Sequence, residues 1–163
     1  MRCLRPNSRR LKSGVRSQVS IALFFFALCM ANGPALAMDY LSVADDSAIL
    51  YDAPSLKAKK IYVISRYSPL EEVVNLSSWV KVRDNTGALA WIEKRALSSK
   101  RYVVVTAPLA EVHQAPNESA AVVAKAKLQV VLELLEDSGV GWLKISLPDG
   151  GPGYIRTVEV WGD

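Results

Sequence analysis

An internal duplication constrains the fold of this 163-residue chain more than any other feature of its sequence. Three motifs occur twice: residues 50–54 (LYDAP) and 112–116 (VHQAP), 78–82 (SWVKV) and 141–145 (GWLKI), 90–92 (AWI) and 153–155 (GYI). The offset is 62 residues for the first motif and 63 for the other two. Solenoid repeats have periods of about 20–50 residues and need at least three units. Two copies of this length therefore indicate a tandem pair of small domains, which we assign to residues 38–99 and 100–163.

Each copy has the pattern of short β-strands. Apolar and polar residues alternate in residues 79–83 (WVKVR) and 142–145 (WLKI), where β-branched and aromatic side chains are frequent. Turn sequences follow at matching positions, 84–87 (DNTG) and 149–153 (DGGPG). The pattern predicts a β-hairpin at the same place in both copies.

One segment has a helix-like composition that its repeat contradicts. Residues 122–136 are rich in Ala, Leu, Lys and Glu, but the counterpart 61–75 contains Tyr, Ile and Val with Pro69 in mid-span. We therefore predict two strands joined by a tight turn in both segments. Short strands in so small a unit cannot form a two-layer sandwich, so each copy is predicted to curl into a small β-barrel. The short connector 98–101 keeps the two copies in contact or nearly so.

The N-terminal segment has the features of a secretory signal peptide. Residues 1–20 are polar and basic, residues 21–31 are apolar, and a Gly-Pro break follows. Ala35 and Ala37 then form a small-x-small site, which predicts cleavage immediately before Met38.

Residues 1–37 are therefore assigned as a cleavable leader. Its eleven apolar residues span about 16 Å as a helix, against the ~30 Å of a bilayer core. An uncleaved membrane anchor is the alternative. We expect export by the general secretory route to the periplasm or the extracellular space, with membrane contact only through the leader before cleavage.

Charge and cysteine content exclude several function classes. Six of the 20 basic residues and no acidic residue precede position 38, which leaves 14 basic against 16 acidic residues after it. The excess of basic over acidic residues thus lies in the leader and does not indicate nucleic-acid binding. Cys3 and Cys29 also lie in the leader, and His113 is the single histidine. A thiol enzyme and a zinc site are excluded for the mature chain, and we expect no metal and no cofactor.

Three motifs of the first copy resemble the bacterial SH3 domain: residues 50–55 (LYDAPS), 79–84 (WVKVRD) and 87–92 (GALAWI). The likeness covers essentially the whole mature chain, twice. Ala90 stands where the family has glycine, Tyr154 where it has tryptophan, and His113 where it has tyrosine or arginine. The resemblance implies an all-β fold of two tandem SH3-like barrels. It also implies a binding role in the cell envelope, toward peptidoglycan stem peptides or a protein partner.

The residue pattern does not favour catalysis. His113 would be the base of any nucleophilic mechanism, but its counterpart is Tyr51, next to a core position, so it is expected to point outward into a groove or solvent. The carboxylate pairs 45–46 and 71–72 are neighbours on strands and face opposite ways. The glycine-rich 149–153 lacks the lysine and the helix of a phosphate-binding loop. We therefore predict that the chain is not an enzyme.

The aromatic residues mark the candidate ligand-binding groove. Six aromatic side chains are too many to be buried entirely in two small cores. They are Tyr51, Tyr67, Trp79 and Trp91 in the first copy and Trp142 and Tyr154 in the second. The alternative for Trp91 and Tyr154 is packing in the core, and the same alternative holds for Trp79 and Trp142, which begin strands. His113 takes the groove position of Tyr51 in the second copy.

A basic cluster distinguishes the first copy. Lys57, Lys59 and Lys60 have no counterpart in residues 119–122 (SAAV), so the fold does not require them. They either form a solvated loop or face an anionic envelope polymer. The first copy is predicted to carry most of the affinity, with Tyr51 and Trp79 as exposed stacking surfaces. A structural adaptor without cell-wall affinity, and an envelope hydrolase that uses His113, are the alternative functions.

Overall fold

The computed structural model describes residues 39–163, which contain fourteen β-strands and two short 3-10 turns. The predicted leader lies outside the described residues. The first copy contains β1 (Tyr40–Val43), β2 (Ser47–Tyr51), β3 (Lys60–Ser65), β4 (Pro69–Asn75), β5 (Trp79–Arg83), β6 (Leu89–Glu93), a 3-10 turn (Lys94–Ala96) and β7 (Leu97–Ser98). The second contains β8 (Tyr102–Val105), β9 (Leu109–His113), β10 (Val122–Lys127), β11 (Val131–Asp137), β12 (Trp142–Ser146), β13 (Pro152–Arg156), a 3-10 turn (Thr157–Glu159) and β14 (Val160–Trp161). Within residues 39–163 no helix has the length and apolarity needed to cross a membrane.

The two copies have the same topology, which confirms the duplication and the all-β class. The first sheet has the order β3-β2-β6-β5-β4-β1-β7, and the second has the matching order β10-β9-β13-β12-β11-β8-β14, with every strand pair antiparallel. Even the turn geometry repeats, because Tyr67 and Gln129, 62 residues apart, both have a φ of 67°.

The two segments of ambiguous composition each consist of two strands joined by a tight turn, as predicted, although the two strands pair with other strands and not with each other. Residues 61–75 belong to β3 and β4 with the Tyr67 turn between them, and residues 122–136 belong to β10 and β11 with the Gln129 turn. Pairing with β9 and β12 supplies the hydrogen-bonded neighbours that override the helix-like composition of the second segment.

The β5–β6 turn is held by one buried carboxylate. Asp84 accepts hydrogen bonds from the Thr86 amide (2.9 Å), the Thr86 hydroxyl (2.6 Å) and the Ala88 amide (3.0 Å), and Gly87 has a φ of 87°. The Tyr62 hydroxyl of β3 donates to the same carboxylate at 2.6 Å. Burial acts to raise the pKa of Asp84, but these hydrogen bonds outweigh burial and hold the pKa below its usual value.

Each sheet encloses its own apolar core. Leu50, Leu70, Val80, Val82 and Ile92 are fully buried in the first copy. The equivalent cluster of the second copy consists of Val103, Val105, Val112, Leu143, Ile145 and Ile155, with smaller neighbours. Each of these side chains stabilises the fold by about 1.5–3 kcal/mol through burial. The alternation in the WVKVR and WLKI strands is therefore confirmed.

The prediction of barrels is wrong in one respect, because the sheets are not closed. The pairing order ends with β3 on one side and β7 on the other, and these two strands do not pair with each other. The reason is that β7 has two residues, both of which pair with β1. Each sheet wraps around its core but keeps a free edge at β3 or β10.

Aromatic side chains hold the two copies together. Tyr40 of β1 packs edge-on against Trp161 of β14 with ring centroids 5.2 Å apart, and Tyr67 stacks on Tyr102 of β8 at 4.6 Å. The guanidinium of Arg101 lies 5.3 Å from the Tyr40 ring. Aromatic pairs of this kind contribute about 0.5–1.5 kcal/mol beyond their burial. The expected contact between the copies is present.

Candidate ligand-binding grooves

The first copy brings three of the predicted aromatic residues together. Tyr51 ends β2 and lies directly opposite Trp91 of β6 in the sheet. Trp79 begins β5, and its ring meets that of Tyr51 edge-on, with centroids 5.3 Å apart and an interplanar angle of 90°. We call Tyr51, Trp79 and Trp91 the first aromatic cluster.

The second copy builds the same arrangement with different side chains. His113 ends β9 and lies opposite Tyr154 of β13, and the Trp142 ring meets the His113 ring edge-on at 5.2 Å and 81°. We call His113, Trp142 and Tyr154 the second aromatic cluster. The equivalence of the two clusters follows from the shared strand pairing, because each residue occupies the same position in its ladder.

Several of these residues are less exposed than the sequence predicts. Tyr51 is 4%, Trp142 7% and His113 8% exposed, whereas Trp79, Trp91 and Tyr154 are half-buried. The expectation that Tyr51 and His113 are exposed is therefore wrong. Neither residue joins the apolar core, so both point to the predicted side of the strand, but the neighbouring tryptophan covers the ring. Trp91 and Tyr154 likewise lie outside the core clusters, between core-facing neighbours in β6 and β13.

The imidazole of His113 is hydrogen-bonded to the backbone. Its Nδ1 lies 3.0 Å from the carbonyl oxygen of Ala120, so Nδ1 carries the proton and donates it. Among residues 39–163, no hydrogen bond joins His113 to a carboxylate or a hydroxyl group. The same residues contain no group of three His, Cys, Asp or Glu side chains placed to hold a metal ion.

A groove lies beside each aromatic cluster. In the second copy it has a volume of about 240 Å³ and is lined by Glu111, His113, Glu118, Arg156 and Glu159. Arg156 spans this groove, with its guanidinium 2.9 Å from the Glu159 carboxylate and 3.5 Å from that of Glu118. Hydrogen bonding to Lys125 lowers the pKa of Glu111. The groove therefore presents three carboxylates and one guanidinium.

The groove of the first copy is smaller, about 130 Å³, and uses Tyr51 at the position of His113. Its charged lining residues are Asp45, Glu93 and Arg95. Arg95 makes two hydrogen bonds to Glu93, of 2.8 and 3.1 Å, which lower the pKa of the Glu93 carboxyl. Both grooves thus combine positive and negative groups. The sequence does not predict these charged walls, because each is assembled from separate strands, with Asp45 far from Glu93 and Glu111 far from Arg156 along the chain.

The three lysines lie at one end of the first aromatic cluster. Lys57, Lys59 and Lys60 are exposed, and Lys60 is the ladder partner of Tyr51. The Lys59 amide donates to the Asp52 carboxylate at 3.0 Å, but no salt bridge to these ammonium groups is found within residues 39–163.

Tyr67 does not belong to the groove. It lies in the β3–β4 turn, where its ring stacks on Tyr102 and the Arg66 guanidinium lies 5.0 Å from its centre. The sequence predicts a groove position for Tyr67, but its ring lies at the contact between the two copies. Trp161, which contacts Tyr40 at the same junction, lies outside the repeated motifs, so the sequence gives no signal for its role.

The family follows from a comparison with known domains. The model of the bacterial SH3 domain matches residues 44–99 and, separately, residues 107–162. The chain belongs to the bacterial SH3 domain family. The clusters and grooves described above are therefore features of two tandem SH3 domains.

Three solved structures have a weak similarity to this chain. NlpC1 from Trichomonas vaginalis is 15% identical, with 82% of this chain and 49% of that chain covered and a TM-score of 0.37. NlpC2 from the same organism is 15% identical (78% and 49% covered, TM-score 0.36). An NlpC/P60 family protein from Bacillus cereus ATCC 10987 is 16% identical (74% and 55% covered, TM-score 0.33). The chain spans about half the length of these proteins. No curated protein matches it.

Proposed function

We propose that this chain is a non-enzymatic binding module of the cell envelope, exported by its leader, whose tandem SH3 domains bind the peptide part of peptidoglycan. Bacterial SH3 domains commonly bind peptidoglycan or proteins. The observation that carries the proposal is the pair of equivalent grooves, each with an aromatic cluster beside it and charges of both signs on its walls. Stem peptides carry both amines and carboxylates, which this mixture of groups complements.

The first SH3 domain is proposed to contribute more of the affinity. It keeps two half-buried indoles, Trp79 and Trp91, whereas the second domain buries Trp142 and offers a tyrosine, Tyr154, as its half-buried ring. The Lys57–Lys60 segment adds positive charge at the edge of the first cluster. Stacking area and charge both favour the first domain.

The test is cosedimentation of the purified chain with isolated sacculi. Trp91→Ala and Tyr154→Ala form a matched pair, because the two residues occupy equivalent ladder positions outside the cores. Trp91→Ala is expected to weaken binding about ten- to thirty-fold, a loss of ~1–2 kcal/mol. Tyr154→Ala is expected to have the smaller effect, and Val158→Ala, which truncates an exposed side chain, is expected to have none.

Three outcomes contradict parts of the proposal. A wild-type chain that is not retained by sacculi but is cross-linked to one envelope protein supports the structural adaptor instead. A larger loss with Tyr154→Ala assigns the site to the second domain. Sacculus hydrolysis that disappears in a folded His113→Gln variant identifies an enzyme.

A further inference from the structure

The strand β3 is an uncovered edge of the first sheet. It pairs with β2 on one side and stands at the end of the strand order. In the described part of the chain, no backbone hydrogen bond outside this ladder involves residues 61–64. Every second amide and carbonyl of a strand points away from its single neighbour. Residues 61–64 therefore present backbone groups that another strand can pair with.

Residues 61–65 of β3 carry no lysine, whereas the equivalent residues 123–127 of the second copy carry two. In β10 the solvent-facing positions carry Lys125 and Lys127, and lysine is a residue that natural proteins place on sheet edges to prevent strand addition. The equivalent positions of β3 are Val63 and Ser65, and Val63 is 64% exposed. A bulge precedes this region in both strands, so it does not account for the difference.

A cavity lies along this edge. It has a volume of about 350 Å³ and is lined by residues 62–66 of the first copy and by three residues of the second, Val104, Gln129 and Val131. Ser68, Pro69, and Asp84 and Asn85 of the β5–β6 turn complete it. The edge therefore has both free backbone groups and a cavity beside it.

Charge indicates which kind of strand fits. Lys57, Lys59 and Lys60 cluster at the beginning of β3 without salt bridges among the described residues, whereas Arg66 at its other end is paired with Asp46 at 3.1 Å. If β3 of a second copy paired antiparallel with β3, its three lysines would lie beside the Arg66–Asp46 ion pair, which has no net charge. An acidic peptide instead finds unpaired positive charge at one end.

We propose that β3 binds an extended peptide of a partner protein as an additional antiparallel strand. The peptide has β-branched residues that pack against the exposed side chains of Ile61 and Val63. Its acidic C-terminal residues lie beside Lys57, Lys59 and Lys60, since antiparallel pairing sets its C-terminus against the beginning of β3. This site is separate from the grooves, so it does not depend on peptidoglycan binding.

The test uses a fluorescent synthetic peptide of alternating Thr and Val that ends in three Glu residues, titrated into the full chain and followed by anisotropy. Val63→Lys gives β3 the residue that β10 has at Lys125, and is expected to weaken binding at least ten-fold. The matched control is Lys125→Val, which is expected to leave the affinity of the peptide unchanged or to strengthen it. Both changes lie on exposed strand positions.

A second peptide set separates strand pairing from side-chain contact. N-methylation of the alternate peptide amides that face β3 is expected to abolish binding, and N-methylation of the other amides is expected to preserve it. On binding, hydrogen exchange of the β3 amides that face the peptide is expected to slow at least ten-fold.

The proposal is wrong if the peptide does not bind, if Val63→Lys has no effect, or if a peptide of glutamate alone binds equally well. It is also wrong if the chain forms a dimer that Val63→Lys dissociates, because the occupant is then a second copy. Trp91→Ala is expected to leave peptide binding intact, which separates this result from that of the sacculus experiment.

Discussion

Gly153 of β13 is the position where one added methyl group tests the packing of the second core most directly. A Cβ built on Gly153 would lie well inside 3.0 Å of a methyl group of Val112, closer than real side chains approach, and 3.5 Å from Leu147. Val112 is fully buried. Overpacking of this kind costs about 1–3 kcal/mol. Alanine also lowers the conformational entropy of the unfolded chain, which stabilises the folded state by about 0.4–1 kcal/mol. We expect Gly153→Ala to destabilise the protein by about 1–2 kcal/mol, or roughly 3–10 °C in Tm.

The first copy shows how the same site accommodates a methyl group. Its equivalent pair is Ala90 and Leu50, in which the branch of the larger side chain is one carbon farther from the backbone. The double variant Val112→Leu/Gly153→Ala recreates that pair, and it is expected to recover at least half of the lost stability. Urea and thermal unfolding, followed by tryptophan fluorescence, measure both variants. A neutral Gly153→Ala, or a double variant no more stable than the single one, would refute the packing argument.

Three further predictions concern stability and processing. Leu50→Ala is expected to cost ~2–4 kcal/mol in urea unfolding, whereas Lys81→Ala is expected to stay within ~0.5 kcal/mol; equal effects would contradict the alternation. Because the pKa of Asp84 is lowered in the folded state, its contribution is present above about pH 4 and is lost as the pH falls through the folded value. Asp84→Asn is therefore expected to cost ~1–3 kcal/mol at pH 7 and to flatten the acid limb of the stability–pH curve. An unchanged acid limb would refute this role. The intact mass of the exported protein is expected to match a chain that begins at Met38, and a product that retains Cys29 would show an uncleaved anchor.

Much of the fold was predictable because its signals are local or repeated. Alternation assigned Val80 and Val82 to the core, since successive side chains of a strand face opposite sides of the sheet. Residues 122–136 show the limit of composition, because their amino acids favour a helix while pairing with β9 and β12 makes them two strands. Comparison with the first copy corrected this, since Pro69 is incompatible with a regular helix at the same place.

The candidate site was predictable only in part. The sequence indicated which aromatic residues occupy equivalent positions in the two copies, and the structure brings two sets of three together. Their exposure was not predictable, because a strand pattern tells which side of a sheet a residue faces and not what covers that side. The charged groove walls came only from the structure, since Glu111 and Arg156 are 45 residues apart in the chain.

The sequence by itself determined that two similar all-β units follow one another and which strand faces form their cores, because these properties depend on residue order over a few positions. The tertiary structure decided that Tyr51 and His113 are covered by tryptophans, that Tyr67 joins the two copies, and that β3 remains an open edge. Each of these outcomes depends on contacts between segments that are distant along the chain. Such contacts are set by how the sheets curve and how the copies pack, which no local pattern encodes.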